Sequence, residues 1–258
     1  MSNNLLKTVF ASVLMVAAAA SADIIDLTTA GAQGTLGGAV FQQIDPLATG
    51  TGNVDSFVQV FGVNAVIQAY NTTANNVLDN GAADPFNRAI LLPDVPLVDL
   101  NGGLYRRFQL DINDNVNVPI QSLDEIQIFL SAVPNQNVTT FTNGILDLAV
   151  ANLVYRLDGP ILNNQILLNA SLNAGHGSGD MFAYIPDSLF LGGAGNFVYL
   201  YSRFGEFFPN TGGFQEWSLP AVDEPGGDDQ GSVVPEPATA VLLAGGLAAM
   251  AFRRFRTS

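Results

Sequence analysis

Between residues 23 and 219 the chain consists of short runs in which apolar and polar residues alternate. Neighbouring side chains of a β-strand point to opposite faces, so a period of two is typical of strands with one buried face. In residues 104–112, for example, Phe108, Leu110 and Ile112 share one face. Gly, Asn, Asp and Pro separate the runs, as they do in turns. The pattern predicts an all-β fold.

The alternation predicts about ten strands. The run 197–204 is apolar on both faces, which predicts a strand covered on both sides. Residues 163–172 fit a helix or a strand equally well, and no long amphipathic helix is evident. At this strand spacing we expect an antiparallel β-sandwich or jelly roll over residues 23–220. The strands are expected at residues 54–61, 66–70, 89–92, 95–100, 104–112, 123–131, 153–157, 181–185, 197–204 and 214–219.

The charge of this region is strongly negative. Residues 23–237 hold all 23 acidic residues and five arginines, which gives a net charge of −18, and they contain no lysine. Such a surface repels phosphate backbones, so no nucleic-acid partner is expected. The chain has no cysteine and a single histidine, which excludes disulfides, thiolate metal sites and cysteine nucleophiles.

The first 22 residues have the organisation of a secretory signal peptide. Lys7 precedes an apolar run at residues 8–20, and Ala20-Ser21-Ala22 supplies the small-x-small pattern that signal peptidase accepts. The apolar run is shorter than the roughly 20 residues of a spanning helix, which disfavours a membrane anchor. We expect cleavage after Ala22 and export of the remainder.

The other end combines a short apolar segment with basic residues. Residues 238–252 are 15 apolar or small residues, and as a helix they would reach about 22 Å against about 30 Å of hydrocarbon. They predict a short transmembrane helix suited to transient insertion in a membrane. Arg253, Arg254 and Arg256 follow, and by the positive-inside rule they stay cytoplasmic.

The tripeptide Pro235-Glu236-Pro237 precedes the helix, and its prolines keep it extended. Together with the helix and the arginines at 235–258, it resembles the PEP-CTERM sorting signal of exported bacterial proteins. The resemblance implies recognition by an exosortase, removal of the tail, and delivery to the surface or extracellular matrix of a Gram-negative bacterium that makes exopolysaccharide. A permanent tail anchor would need a longer helix, and a GPI signal would not end in arginines. The body segments SLDEIQIF, GSGDMFAYIP and GGFQEWSLP are also similar to a subset of these proteins, with no activity to carry over.

Residues 221–234 are rich in Gly and Asp and lack aromatic residues. They cannot bury enough apolar surface to fold, so they predict a disordered acidic linker between the β domain and the sorting signal.

Two polar motifs invite a functional interpretation. The segment GHGSGD places His176, Ser178 and Asp180 within five residues, but a catalytic triad needs a convergent geometry that one glycine-rich loop rarely provides. The segment DINDNVN begins like a calcium loop at Asp111, but Val116 and Ser122 stand where that loop needs Gly and Glu. No catalytic residue and no cofactor are therefore expected. Calcium on another arrangement of Asp and Asn stays open.

Aromatic residues near the end of the domain leave a further alternative. Trp217 with Tyr199, Tyr201 and Phe214 could form a stacking platform for sugar rings, although aromatic residues in strands more often belong to the core. The leading interpretation is a non-enzymatic surface or matrix protein with exosortase, signal peptidase and exopolysaccharide as partners. The alternatives are a carbohydrate-binding module and, third, a carboxylate-based hydrolase.

Overall fold

The computed structural model describes residues 22–44, 55–62, 65–74, 76–80, 86–115, 117–159, 162–173, 179–193 and 195–220. They belong to the first of two units, residues 1–221 and 222–258, into which the chain divides. Short 3₁₀ helices lie at Leu92–Asp94 and Asp187–Phe190. The strands are β1 (Ile24–Asp26), β2 (Gln33–Leu36), β3 (Ala39–Gln43), β4 (Asp55–Phe61), β5 (Ile67–Tyr70), β6 (Ile90–Leu91), β7 (Leu97–Leu100), β8 (Gly103–Ile112), β9 (Ile120–Ser131), β10 (Phe141–Thr142), β11 (Ile145–Leu146), β12 (Ala151–Arg156), β13 (Gln165–Asn169), β14 (Met181–Pro186), β15 (Phe197–Phe204) and β16 (Phe214–Leu219).

The all-β prediction is confirmed. The runs at 197–204 and 214–219 have the predicted bounds, and each of the other predicted runs contains or overlaps a strand. The ambiguous segment 163–172 holds strand β13. The run at 89–92 is shortened to two residues, because the chain turns into a 3₁₀ helix at Leu92 and Pro93 lacks the N–H that a strand would use.

Two seven-stranded sheets face each other. The first has the order β1-β13-β9-β15-β5, with β12 also pairing β9 and β6 also pairing β15. The second has the order β2-β3-β14-β8-β16-β4, with β7 also pairing β8. One hydrophobic core includes Ile126 and Ile128 from β9 together with Phe108, Leu110 and Ile112 from β8. The alternating residues of both sheets therefore point into a shared interior, as the sequence of β8 predicts.

The outer face of the first sheet is buried as well. Phe129, Tyr199 and Tyr201 form a second hydrophobic cluster with residues of the segment that contains β10 and β11. The ring of Phe141 on β10 lies 5.3 Å from that of Tyr201, edge to face. The buried Gln127 amide donates to the Gly144 carbonyl at 2.6 Å and accepts from the Leu146 N–H at 3.0 Å. The β10–β11 hairpin therefore covers this face, and the prediction that 197–204 is covered on both sides is confirmed.

One strand pair departs from the antiparallel prediction. β1 runs parallel to β13, with Ile24 opposite Gln165 and Asp26 opposite Leu167. Antiparallel pairing follows naturally when strands are joined by a short hairpin, whereas β1 and β13 are separated by most of the domain. Nothing in the alternation of side chains distinguishes the two directions, so the strand direction could not be read from the sequence.

Candidate functional site

The aromatic residues proposed as a sugar platform do not form one. The side chain of Trp217 is fully buried and belongs to the core between the sheets. Tyr199 and Tyr201 are also buried, but they lie in the second cluster, on the outer face of the other sheet. Phe214 packs against Phe61 at 5.6 Å between ring centroids. The platform alternative is therefore contradicted, and the expectation that aromatic residues in strands belong to the core holds for Trp217, Tyr199 and Tyr201.

Trp217 instead connects the two sheets. Its indole Nε1–H donates to the hydroxyl of Ser202 at 3.0 Å, and both side chains are inaccessible to solvent. Trp217 is on β16 of the second sheet, and Ser202 is on β15 of the first. This bond gives a buried indole the partner it needs while the ring fills the interior.

The residues of the apparent calcium loop form part of strand β8 and stabilise the turn that follows it. Asp111 is buried on β8. The N–H of Asn113 donates to the Gln215 side chain at 3.2 Å, and the Asn115 side chain accepts from the N–H of Asn117 at 3.0 Å. Among the described residues there is no group of three or more His, Cys, Asp or Glu side chains placed to hold a metal ion.

The structure describes only Gly179 and Asp180 of the GHGSGD segment. His176 and Ser178 lie outside the described residues. Asp180 is 2% exposed and Asp111 is 1% exposed. The main chain of Asp180 donates to the Leu110 carbonyl at 2.7 Å, and its carboxyl accepts from the Ile112 N–H at 2.7 Å. Since Ile112 and Leu110 flank Asp111, the carboxyl groups of Asp111 and Asp180 lie close to each other.

Burial is the main cause that raises the pKa of Asp180 to about 8, the neighbouring Asp111 raises it further, and the hydrogen bond from Ile112 acts in the opposite direction. Two buried acids at short range cannot both ionise, so the pair shares one proton at neutral pH. Carboxyls of a glycosidase flank an accessible bond and are about 5–9.5 Å apart. This buried pair does not have that arrangement.

We expect Asp180→Asn to flatten the pH dependence of stability. Between the ordinary pKa of 3.8 and a folded pKa of about 8, the native chain holds a proton that the unfolded chain has released. Stability of the wild type therefore falls as pH rises through this window and levels off above it. Asparagine keeps a neutral donor toward Asp111, so the variant should exceed the wild type in stability above pH 8.

The measurement is the urea midpoint from pH 5 to pH 9. Asp26→Asn is the matched control, because the hydrogen bonds from Thr28 lower the pKa of this exposed carboxyl. That variant should keep the falling profile of the wild type. Parallel profiles for the wild type and Asp180→Asn would contradict the shared proton.

The remaining sequence-predicted sites lie outside the described residues. They are Ala20 of the signal peptidase site, Pro235, Glu236 and Pro237 of the tripeptide, and Arg253, Arg254 and Arg256. Ala22 is described and lies exposed, two residues before the start of β1 at Ile24. No helix among the described residues is long and apolar enough to cross a bilayer, and the apolar run at 238–252 is not among them.

A comparison with known protein families matches residues 233–256 to the PEP-CTERM protein-sorting motif. The chain carries a PEP-CTERM sorting motif. The resemblance seen in the sequence is thereby confirmed, and the motif implies export and membrane-associated sorting in which an exosortase recognises the protein. Comparisons with curated proteins and with solved structures gave no significant match.

Proposed function

We propose that this protein is an exported β domain that is released at the cell surface or into the extracellular matrix and has no catalytic activity of its own. The observation that carries the proposal is the PEP-CTERM motif at residues 233–256. The motif follows the β domain, whose last strand ends at Leu219. The predicted acidic linker of residues 221–234 precedes the tripeptide Pro235-Glu236-Pro237, and in this proposal it keeps the tripeptide accessible to a membrane enzyme while the domain folds outside.

The route has two processing steps. Signal peptidase removes residues 1–22 after Ala22 during export. The helix at 238–252 then enters the inner membrane with its arginines on the cytoplasmic side. An exosortase cleaves at or near Pro235-Glu236-Pro237 and frees the domain. In this scheme the host is a Gram-negative bacterium, and exopolysaccharide is the partner of the acidic domain at its destination.

The structure favours a packed cargo domain over the two alternatives. Trp217, the residue that would have stacked on sugar rings, lies in the core. The observation that suggested a carbohydrate-binding module therefore no longer supports it. The neighbouring carboxyls of Asp111 and Asp180 are buried, and Asp180 joins neighbouring strands through its hydrogen bonds to Leu110 and Ile112. A calcium ion is not part of the proposal.

Mass analysis of the protein recovered from the cell surface tests both cleavages. We expect an N-terminus at Asp23 and a C-terminus no later than Pro237, because the small-x-small site and the proline-flanked tripeptide are the processing points. Protein held in the inner membrane before exosortase action serves as the control and should retain Ser258. Surface protein that still carries Phe252 and the arginines would show a permanent anchor instead.

A further inference from the structure

Strand β1 begins at Ile24, one residue after Asp23, which the proposed signal peptidase cleavage would expose. The main-chain nitrogen of Asp23 donates to the Oδ1 atom of Asn164 at 2.8 Å. The Asp23 carbonyl accepts from the N–H of Gln165 at 3.1 Å, and Leu27 donates to the Leu167 carbonyl at 2.9 Å. Pairing with β13 therefore starts at Asp23 itself, with no spare residue between the cleavage point and the sheet.

Asn164 is held in place by the rest of the domain. It is 4% exposed. Its N–H donates to the carboxylate of Asp158 at 2.8 Å, and its Nδ2 donates to the Leu157 carbonyl at 2.7 Å. With both donors engaged, the amide oxygen points toward the start of β1. The Oδ1 atom of Asn164 is thus held in position to accept a hydrogen bond from the nitrogen of Asp23.

The surroundings favour a positive charge. Asp158 lies one hydrogen bond beyond Asn164, and Glu125 accepts from the N–H of Asp158 at 3.2 Å. Burial and the nearby Glu125 raise the pKa of Asp158 to about 6. Arg203 and Arg156 offset part of this negative charge, and Arg156 also forms a 3.0 Å ion pair with Glu125.

We propose that Asn164 is the binding site for the mature N-terminus, and that processing after Ala22 strengthens the docking of β1. This rests on the proposed signal peptidase cleavage. Water hydrolyses the Ala22–Asp23 amide. The C–N bond breaks, the hydroxyl of the water bonds to the carbonyl carbon of Ala22, and the other hydrogen of the water bonds to the Asp23 nitrogen. The new carboxyl of Ala22 then loses a proton, and the new amine of Asp23 gains one. An amine with an ordinary pKa of about 7.7–8.0 is mostly protonated at pH 7.

The amide nitrogen of Asp23 in the described chain stands in for this ammonium nitrogen. An ammonium keeps the hydrogen bond to Asn164 and adds charge to it, and charge-assisted hydrogen bonds are about twice as strong as neutral ones. The cleaved chain therefore holds β1 against β13 more firmly than a chain that continues upstream. β1 carries Ile25 and leads to Leu27, both of which are buried in the shared core.

The test moves the N-terminal ammonium two residues upstream of Asp23 and leaves the sequence from Asp23 onward unchanged. Gly-Gly is inserted between Ala22 and Asp23, so that cleavage after Ala22 leaves an amide at Asp23. The wild type, the insertion, Asn164→Ala and the combined variant are purified after export, and their folding equilibrium constants are measured in urea. We expect Asn164→Ala to lower the constant on the order of fivefold more in the wild type than in the insertion background. Any cost of exposing the Leu157 carbonyl is common to both backgrounds and cancels.

Equal effects in the two backgrounds would overturn the proposal and leave Asn164 as an ordinary partner of the strand. The N-terminal mass of the purified wild type separates this from a failure of the proposed processing. A start other than Asp23 refutes both, whereas a start at Asp23 with equal effects refutes the Asn164 site alone. If Asn164→Ala does not accumulate, Asn164→Asp replaces it. A carboxylate should enlarge the difference between the mature and the extended N-terminus, and an unchanged difference would count against the site.

Discussion

Replacing Pro235, Glu236 and Pro237 with alanine should trap the protein in the inner membrane. The residues belong to the PEP-CTERM motif at 233–256. Alanine removes the prolines that are expected to keep the tripeptide extended, and it favours a helix that continues from residues 238–252 into the cleavage region. The predicted helix and its arginines keep their sequence, so insertion should proceed while release fails. We expect nearly all of the protein to move from the surface fraction to the membrane fraction.

Cell fractionation followed by mass analysis of the C-terminus measures this effect. The linker provides a matched control, since Asp223-Glu224-Pro225 also contains a Glu-Pro pair and precedes the motif. Replacing those three residues with alanine should leave surface delivery intact. Normal delivery of the Pro235–Pro237 variant, or equal retention of both variants, would contradict the assignment of the tripeptide as the recognition element.

Trp217→Ala should destabilise the domain by about 3–5 kcal/mol, which is the usual cost of truncating a large buried aromatic residue. Trp217 is fully buried between the sheets. The substitution leaves a cavity and removes the donor of the 3.0 Å bond to Ser202. Because the free energy of unfolding of a single domain is only about 5–15 kcal/mol, this substitution removes a large part of it.

Urea unfolding followed by circular dichroism is the appropriate measurement, because the variant loses its only tryptophan. Phe214→Ala is a control on the same strand, where the side chain is only partly buried and packs against the exposed Phe61. Its cost should be clearly smaller. Trp217→Phe keeps most of the volume but not the donor, so its cost should fall between the two. A Trp217→Ala variant as stable as Phe214→Ala would place the indole outside the core.

Much of the strand content could be predicted from the sequence, because alternation over five or more residues is a physical consequence of burying one face. Strands β8 and β9 follow this pattern, whereas β15 is apolar on both faces over its first residues. The segments that escaped prediction are β1, β2, β3, β10 and β11, which have two to five residues each. In so few residues a period of two is not distinguishable from chance, and a Gly inside β2 interrupts it further.

The candidate sites were harder to predict, because they depend on contacts between distant segments. Asp111 and Asp180 meet only because β14 pairs with β8, with Met181 opposite Leu110. Asp23 and Asn164 are 141 residues apart and meet through the parallel pair. The sorting motif, in contrast, is a local pattern of tripeptide, apolar run and arginines. Its recognition required no tertiary structure, which is why the sequence identified it.

The order of the second sheet has a consequence for the timing of folding relative to export. β16, the last strand of the domain, lies between β8 and β4, so residues 109–112 of β8 and the whole of β4 lack their partner in the sheet until residues 214–219 arrive. β1 likewise waits for β13. Pairings of such long range make folding slow. In a chain that crosses a membrane from its N-terminus, β4 would therefore join the second sheet only after the final strand of the domain has emerged.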